Sequence, residues 1–328
     1  MSNNRNLAAK NEETRRSLLL RAQYTFGAER IADVVIPTRA IIGLATMPAG
    51  ADDAQAAYKA LTEGGDPTAQ ELMALELMIR LMRPAPLCKF GRVDDLPSYN
   101  QYNQNLMAGW QQFRSAVEPY VYSVGRLDRA DDHQSIGTGF LVTTELLVTN
   151  QHVLAVLSHG TNVLSPGQAL VYFGQEFEPA DTHGATPVTT VVAYDEDLDL
   201  AILQLGASPA AVSRSPLSIA PGPLAIGANV ATIGYPMGGA ASNPLFLDKI
   251  FGSDLGVKRA AVGQVMKIAP GKLYHDCSTL NGNSGSPLMN LLDAQVVGVH
   301  SAGQFMYRNT AIGASALRDF LNPHLRDT

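Results

Sequence analysis

Ser278-Thr279-Leu280-Asn281-Gly282-Asn283-Ser284-Gly285-Ser286-Pro287 sets two glycines on either side of an Asn-Ser pair. Glycine lacks a Cβ and adopts backbone angles closed to other residues, so this stretch can turn sharply and lift one hydroxyl clear of its neighbours. A serine hydroxyl is a weak nucleophile by itself. It needs an adjacent base, and donors placed where negative charge develops on a substrate. Gly282 suits that second need, because it lets backbone N–H groups point into a common space. The stretch therefore asks the rest of the chain for a histidine and a carboxylate.

The chain around it, from Pro119 onward, is a succession of short apolar or alternating runs separated by Gly, Pro, Asp and Asn. They include Tyr120–Val124, Gly139–Val142, Leu146–Thr149, Ala169–Phe173, Val188–Ala193, Ala201–Leu205, Val230–Ile233, Val257–Ile268, Ser286–Leu288 and Gln295–Val299. Many short strands with turn signals between them predict an all-β barrel or sandwich, closed by a helix over Ala314–Leu321. Ahead of Pro119 the pattern is helical. A first helix runs from Asn11 through Leu18, Leu19, Ala22 and Phe26, and a second covers Asp52–Leu61. A third has Asp66 as its cap, Pro67 at its first position, and Arg80 and Arg83 at its end. Its apolar residues wrap most of the way round, which predicts a central place in a helical bundle. Residues 83–119 read as a connection with one short helix at Leu106–Phe113. The expected division is a small all-α helical domain with linker at 1–117 and an all-β domain at 118–328.

Composition narrows the function. The 328 residues carry a net charge of −6 and no basic run, which argues against nucleic acid as a partner. The two cysteines, Cys88 and Cys277, do not form a disulfide framework and favour a reducing compartment. No apolar leader or spanning segment is read, so a cytoplasmic protein without membrane contact is expected. Histidines 133, 159, 183, 275 and 324 show no metal-ligand spacing, and Gly234–Gly239 lacks the Lys-Ser/Thr of a phosphate loop. Neither a metal nor a cofactor is expected.

Two further stretches supply the missing groups. His152 follows the strand Leu146-Leu-Val-Thr-Asn-Gln, and Asp199 leads into the apolar run Leu-Ala-Ile-Leu-Gln-Leu205. A carboxylate placed there can accept the Nδ1–H of an imidazole and hold it in one tautomer; Asp197 is the competing acid. The chain order His152, Asp199, Ser284 is one of the known orders of a hydrolase triad.

Thr149-Asn-Gln-His-Val, Asp199-Leu-Ala-Ile-Leu and Gly282-Asn-Ser-Gly-Ser-Pro287 resemble the three catalytic boxes of the chymotrypsin-like serine proteases. The Asn-Ser-Gly-Ser form is most similar to bacterial glutamyl endopeptidases and, more distantly, to HtrA proteases, and the resemblance covers about 120–323. It implies two six-stranded barrels with a cleft between them. Ser284 would be the nucleophile, His152 the base and Asp199 its orienting acid, with an oxyanion hole from the N–H groups of Gly282 and Ser284. By the same resemblance Thr279 and His300 would bind an acidic side chain of the protein substrate. The position before the nucleophile is Asn283, which excludes activation by an ion pair with a new N-terminus. The helical domain is loosely similar to adaptor modules joined to such proteases in bacterial defence or signalling systems, so a regulatory partner through the helices is expected. The alternatives are an HtrA-like quality-control protease and a catalytically silent scaffold; reaction with a serine-directed fluorophosphonate separates enzyme from scaffold.

Overall fold

The computed structural model describes residues 2–27, 31, 50–98, 100, 104–174, 176, 184–208, 213–222, 224–238, 247–252, 254–304 and 308–325. His183 and Gly239, considered above, lie outside them. Three helices open the chain: α1 (Ser2–Phe26), α2 (Ala51–Thr62) and α3 (Ala69–Leu81). The cap of α3 is Thr68, not Asp66. Thr68 Oγ1 accepts the Glu71 N–H and Glu71 Oε2 accepts the Thr68 N–H, a reciprocal pair that outcompetes a start two residues earlier. Pro67 therefore precedes the helix. Eight consecutive α3 residues, Ala74–Leu81, are buried, as the all-round apolar pattern predicts.

The connection to the β region is more structured than its composition suggests. It holds a two-residue hairpin, β1 (Cys88–Lys89) with β2 (Arg92–Val93), and the helix α4 (Gln104–Val117). The predicted strand Tyr120–Val124 is instead a 3₁₀ turn, Glu118–Ser123, with Pro119 among its first positions, where a missing N–H costs nothing.

The first barrel is closed in the order β3-β4-β5-β8-β7-β6. Its strands are β3 (Val124–Arg129), β4 (Ser135–Leu141), β5 (Leu146–Thr149), β6 (Ala169–Tyr172), β7 (Ala185–Asp195) and β8 (Leu200–Leu205). A short helix, α5 (Gln151–Leu157), follows β5 directly. The second barrel is closed in the order β10-β11-β14-β13-β12-β9. It comprises β9 (Asn229–Gly234), β10 (Arg259–Ala269), β11 (Lys272–His275), β12 (Pro287–Asn290), β13 (Val296–Gln304) and β14 (Arg308–Gly313), and α6 (Ala314–Leu325) packs on its outside. The all-β double barrel and the preceding helices are thus as expected. The strands β3 (beyond Val124), β11 and β14 were not read from sequence, because none of them carries a long apolar run.

The helices do not keep a core to themselves. Leu18 and Ala22 of α1, Ala54 of α2 and Leu75 of α3 belong to one buried cluster with Val265 of β10 and Val297 of β13. A second cluster joins Trp110 and Phe113 of α4 to Phe140 and Val148 of the first barrel and Ile233 and Val262 of the second. Buried charge crosses the same boundary. Glu76 on α3 accepts from Arg21 at 2.7 and 3.2 Å and from Arg80 at 2.7 Å. Burial drives the Glu76 carboxyl up, but Arg21 and then Arg80 outweigh it and leave it below the ordinary carboxylate value. Beyond α3, buried Arg83 donates to Asp276 Oδ2 at 3.2 Å and to Gln264 Oε1 at 2.6 Å, and its carbonyl accepts from Ser278 Oγ at 2.8 Å.

Candidate active site

The His152–Asp199 pair is built from local chain turns. Asn150, with extended backbone angles, follows β5 and caps α5, which begins one residue later, so His152 sits in its first turn. Asp199 lies in the turn before β8 at φ +56°, a left-handed position that Asp tolerates better than most residues. Its carbonyl accepts from Asn150 Nδ2 at 2.9 Å, tying the two turns together. The Asp199 carboxylate then accepts the His152 backbone N–H at 3.0 Å and lies 2.9 and 3.0 Å from His152 Nδ1. An Asp199 carboxylate facing Nδ1 puts the ring proton there and leaves Nε2 free to act as a base. The pair is half exposed rather than sealed, with side-chain accessibilities of 46% and 30%. Asp197 makes no contact of this kind among the described residues, so Asp199 is the acid paired with the ring.

The loop carrying Ser284 belongs to the second barrel but docks on the first. The Ser284 carbonyl accepts from the Thr138 N–H of β4 at 2.8 Å. A Cβ added to Gly137 would stand 2.8 Å from Val153, next to His152, and 3.0 Å from the Ser284 carbonyl. Only glycine leaves room for α5 and the serine loop to flank the same spot. Ser284 Oγ points to the Ser301 carbonyl at 3.4 Å, and among the described residues no hydrogen bond joins it to His152. That bond is long, and rotation about one side-chain torsion swings the hydroxyl to a new partner; catalytic hydrogen bonds often tighten only when substrate is bound.

The peptide groups around Ser284 are oriented one by one. The Asn281 carbonyl accepts from Met237 N–H at 2.7 Å, Gly282 O from Thr138 Oγ1 at 2.7 Å, and Asn283 O from Ser286 N–H at 2.9 Å. The N–H of Asn283 donates to Leu280 O at 3.2 Å and that of Gly285 to His300 O at 2.8 Å. The amides of Gly282 and Ser284, on either side of the bonded Asn283 N–H, have no acceptor among the described residues. Gly282 and Gly285 adopt φ of +89° and +86°, which turns the chain so that this alternation is reached.

Behind the loop, His300 on β13 is 3% exposed and its Nδ1 lies 3.1 Å from Nε2 of fully buried His275, at the end of β11. Burial, then Arg80, holds His275 down at about 3; burial, then His275, then His152 holds His300 well below its ordinary value. Both rings are neutral near pH 7. Sequence reading singled out His300 but not His275, and no signal in the sequence links them, since the contact arises from strand order. Thr279 is half-buried, with its Oγ1 3.6 Å from where a Cβ on Gly303 would sit. The hydroxyls of Thr138 and Thr149, the latter donating to the Thr138 carbonyl at 2.7 Å, were also not foreseen. Thr149 opens one of the quoted boxes and Thr138 just precedes the run Gly139–Val142, but a hydroxyl buried against backbone reads in sequence like any strand threonine.

Among the described residues no cluster of His, Cys, Asp and Glu is placed to hold a metal ion, and no helix is long and apolar enough to cross a membrane. Cys88 and Cys277 are free and buried.

Residues 137–299, from β4 to β13, match the family described as trypsin-like peptidase domain. The chain is 28% identical over 198 residues to the serine protease Rv3671c of Mycobacterium tuberculosis, covering 56% of this chain and 40% of that protein. A probable serine protease of Lysobacter enzymogenes is 27% identical over 280 residues, with 73% and 72% covered. A glutamyl endopeptidase of Staphylococcus epidermidis is 26% identical over 202 residues, with 58% and 61% covered. The crystal structure of the Rv3671c protease in its inactive form is 23% identical, covers 64% of this chain and 92% of that one, and superposes with a TM-score of 0.45. The chain spans less than half the length of the mycobacterial relative and about three-fifths of the staphylococcal one. That match runs from the first closed barrel into the second, so the two barrels together carry a trypsin-like peptidase domain.

Proposed function

We propose that this chain is a serine endopeptidase in which Ser284 attacks the scissile carbonyl of a protein substrate. His152 Nε2 takes the serine proton and passes it to the leaving amine, and Asp199 orients the ring and stabilises its protonated form. The N–H groups of Gly282 and Ser284 hold the oxygen that becomes negative. The observation that carries this reading is the pairing of His152 Nδ1 with both Asp199 oxygens beside a loop in which the N–H groups of Gly282 and Ser284 have no acceptor among the described residues. A fluorescent fluorophosphonate should label the full chain and leave Ser284→Ala unlabelled at unchanged melting temperature. Equal labelling of both would remove Ser284 from the role.

The reading extends to acidic side chains before the cut. The His275–His300 contact supports it: a proton on His275 Nε2 donates to His300 Nδ1 and leaves the His300 Nε2–H for a carboxylate, with Thr279 as second donor. A peptide library should show cleavage after Glu or Asp; cleavage confined to Lys/Arg or large apolar residues would refute it. The buried, unpaired cysteines support a cytoplasmic setting. The Arg83 contacts to Asp276 and Ser278 support the helices as a control element, acting through a partner in a defence or signalling system. Co-purification of a partner with the tagged full chain, altering the rate of fluorophosphonate labelling, is the outcome this predicts.

A further inference from the structure

Thr138 is fully buried on β4 of the first barrel, yet both hydrogen bonds of its hydroxyl leave that barrel. Oγ1 donates to the Gly282 carbonyl at 2.7 Å and accepts the Tyr235 N–H at 3.3 Å. A threonine serving only its own strand would bond within that strand. Here the backbone of the same residue also grips the loop, since its N–H donates to the Ser284 carbonyl. The carbonyls on both sides of Asn283 thus converge on one residue.

We propose that the Thr138 hydroxyl is a positioning group for the oxyanion site: it aims the Gly282 N–H by anchoring the Gly282 carbonyl. The inference rests on the nucleophile assigned to Ser284 above. Gly282 has no Cβ, so sterics restrain its torsions least of any residue, and at φ +89° it is held by its neighbours. Fixing the position of its carbonyl carbon fixes φ, and φ sets the direction of the N–H relative to that carbon. Without the hydroxyl the carbonyl has no partner among the described residues, and the peptide can turn to satisfy it elsewhere. Thr138 touches no substrate and acts through Gly282.

The test is labelling of the full chain by a fluorescent fluorophosphonate, whose phosphoryl oxygen occupies the oxyanion position. Ser284→Ala sets the background. Thr138→Val keeps the shape and removes both hydroxyl bonds, and Thr138→Ser keeps the hydroxyl. Loss of a direct oxyanion donor costs about 10²–10³ in rate, so an indirect one should cost about 10- to 100-fold in the labelling rate of Thr138→Val. The variant should still label to full stoichiometry, and Thr138→Ser should label close to the wild-type rate. A merely structural threonine would instead lower the fraction of labelled protein and leave the rate of the folded fraction unchanged. If Thr138→Val does not fold, Thr138→Cys supplies a weak donor of similar size and should fall between wild type and the expected loss. Labelling of Thr138→Val or Thr138→Cys at the wild-type rate overturns the role of Thr138 and leaves Ser284 standing. No labelling of the wild type removes both.

Discussion

Asp199 performs two tasks with one carboxylate. It accepts the first-turn N–H of α5, which fixes where His152 stands, and it faces Nδ1, which fixes which nitrogen is free. Asn tolerates a left-handed backbone as Asp does, so Asp199→Asn should keep the turn and lose the proper tautomer. By the precedent of other serine proteases kcat should fall about 10⁴-fold while the melting temperature changes little. A variant retaining a tenth or more of wild-type turnover would assign the orienting role elsewhere. Gly282 allows no such exchange, because a Cβ there would collide with the Tyr235 carbonyl in a region where only glycine rests easily.

At the scale of elements, β11 and β13 flank β14, and that order brings His275 and His300 together from 25 residues apart. The buried His275 Nδ1 has no hydrogen-bond partner among the described residues, which is consistent with a bare acceptor and a proton on Nε2. This arrangement makes stability depend on pH. Folding moves the His275 pKa from the ordinary 6.5 to about 3, so the unfolded chain binds more protons between those values. The neutral ring therefore supports the fold above about pH 6.5, and that support is lost as pH falls toward 3. Urea midpoints measured from pH 7 to pH 4 should drop more steeply for wild type than for His275→Asn. Parallel curves would show that the pair is protonated in the fold. The helix α3 is another case in which an element's surroundings matter more than its pattern. Its buried Glu76 sits in an apolar stretch only because Arg21 and Arg80 close on it.

For the whole molecule, the helices and the second barrel are one packed body. The N-terminal third reaches residues 276–278, six to eight positions before Ser284, through Arg83. Asp276 is buried, and its other oxygen accepts the Gln264 N–H at 2.6 Å. Removing Arg83 leaves that charge without its nearest cation, a change that typically costs about 3–5 kcal/mol. Arg83→Leu should lower the urea midpoint accordingly, and adding Asp276→Leu should recover part of the loss. An Arg83→Leu protein as stable as wild type would mean that the barrel does not depend on the helices here.

Much of the site was legible because its parts are short and local. A glycine-bracketed serine, a histidine one step past a strand and an acid one step before another are each encoded within a few residues, where turn chemistry and side-chain type suffice. Helical periodicity likewise marked α1 to α3 before any contact was known, although the cap of α3 fell two residues late because two hydroxyl and carboxyl partners decide it. Other features have no local signature. The Thr138–Gly282, Arg83–Asp276 and His275–His300 contacts span 144, 193 and 25 residues. A buried polar group must find a partner wherever the packed chain supplies one, and which group that is depends on barrel closure and strand order. The sequence by itself determined the residue types of the candidate site, their chain order and the change from helix to strand near Pro119. Only the tertiary structure decided that the helices share the second barrel's core, and that a threonine of one barrel holds the serine loop of the other. Periodicity says which faces are apolar, but only packing says what covers them.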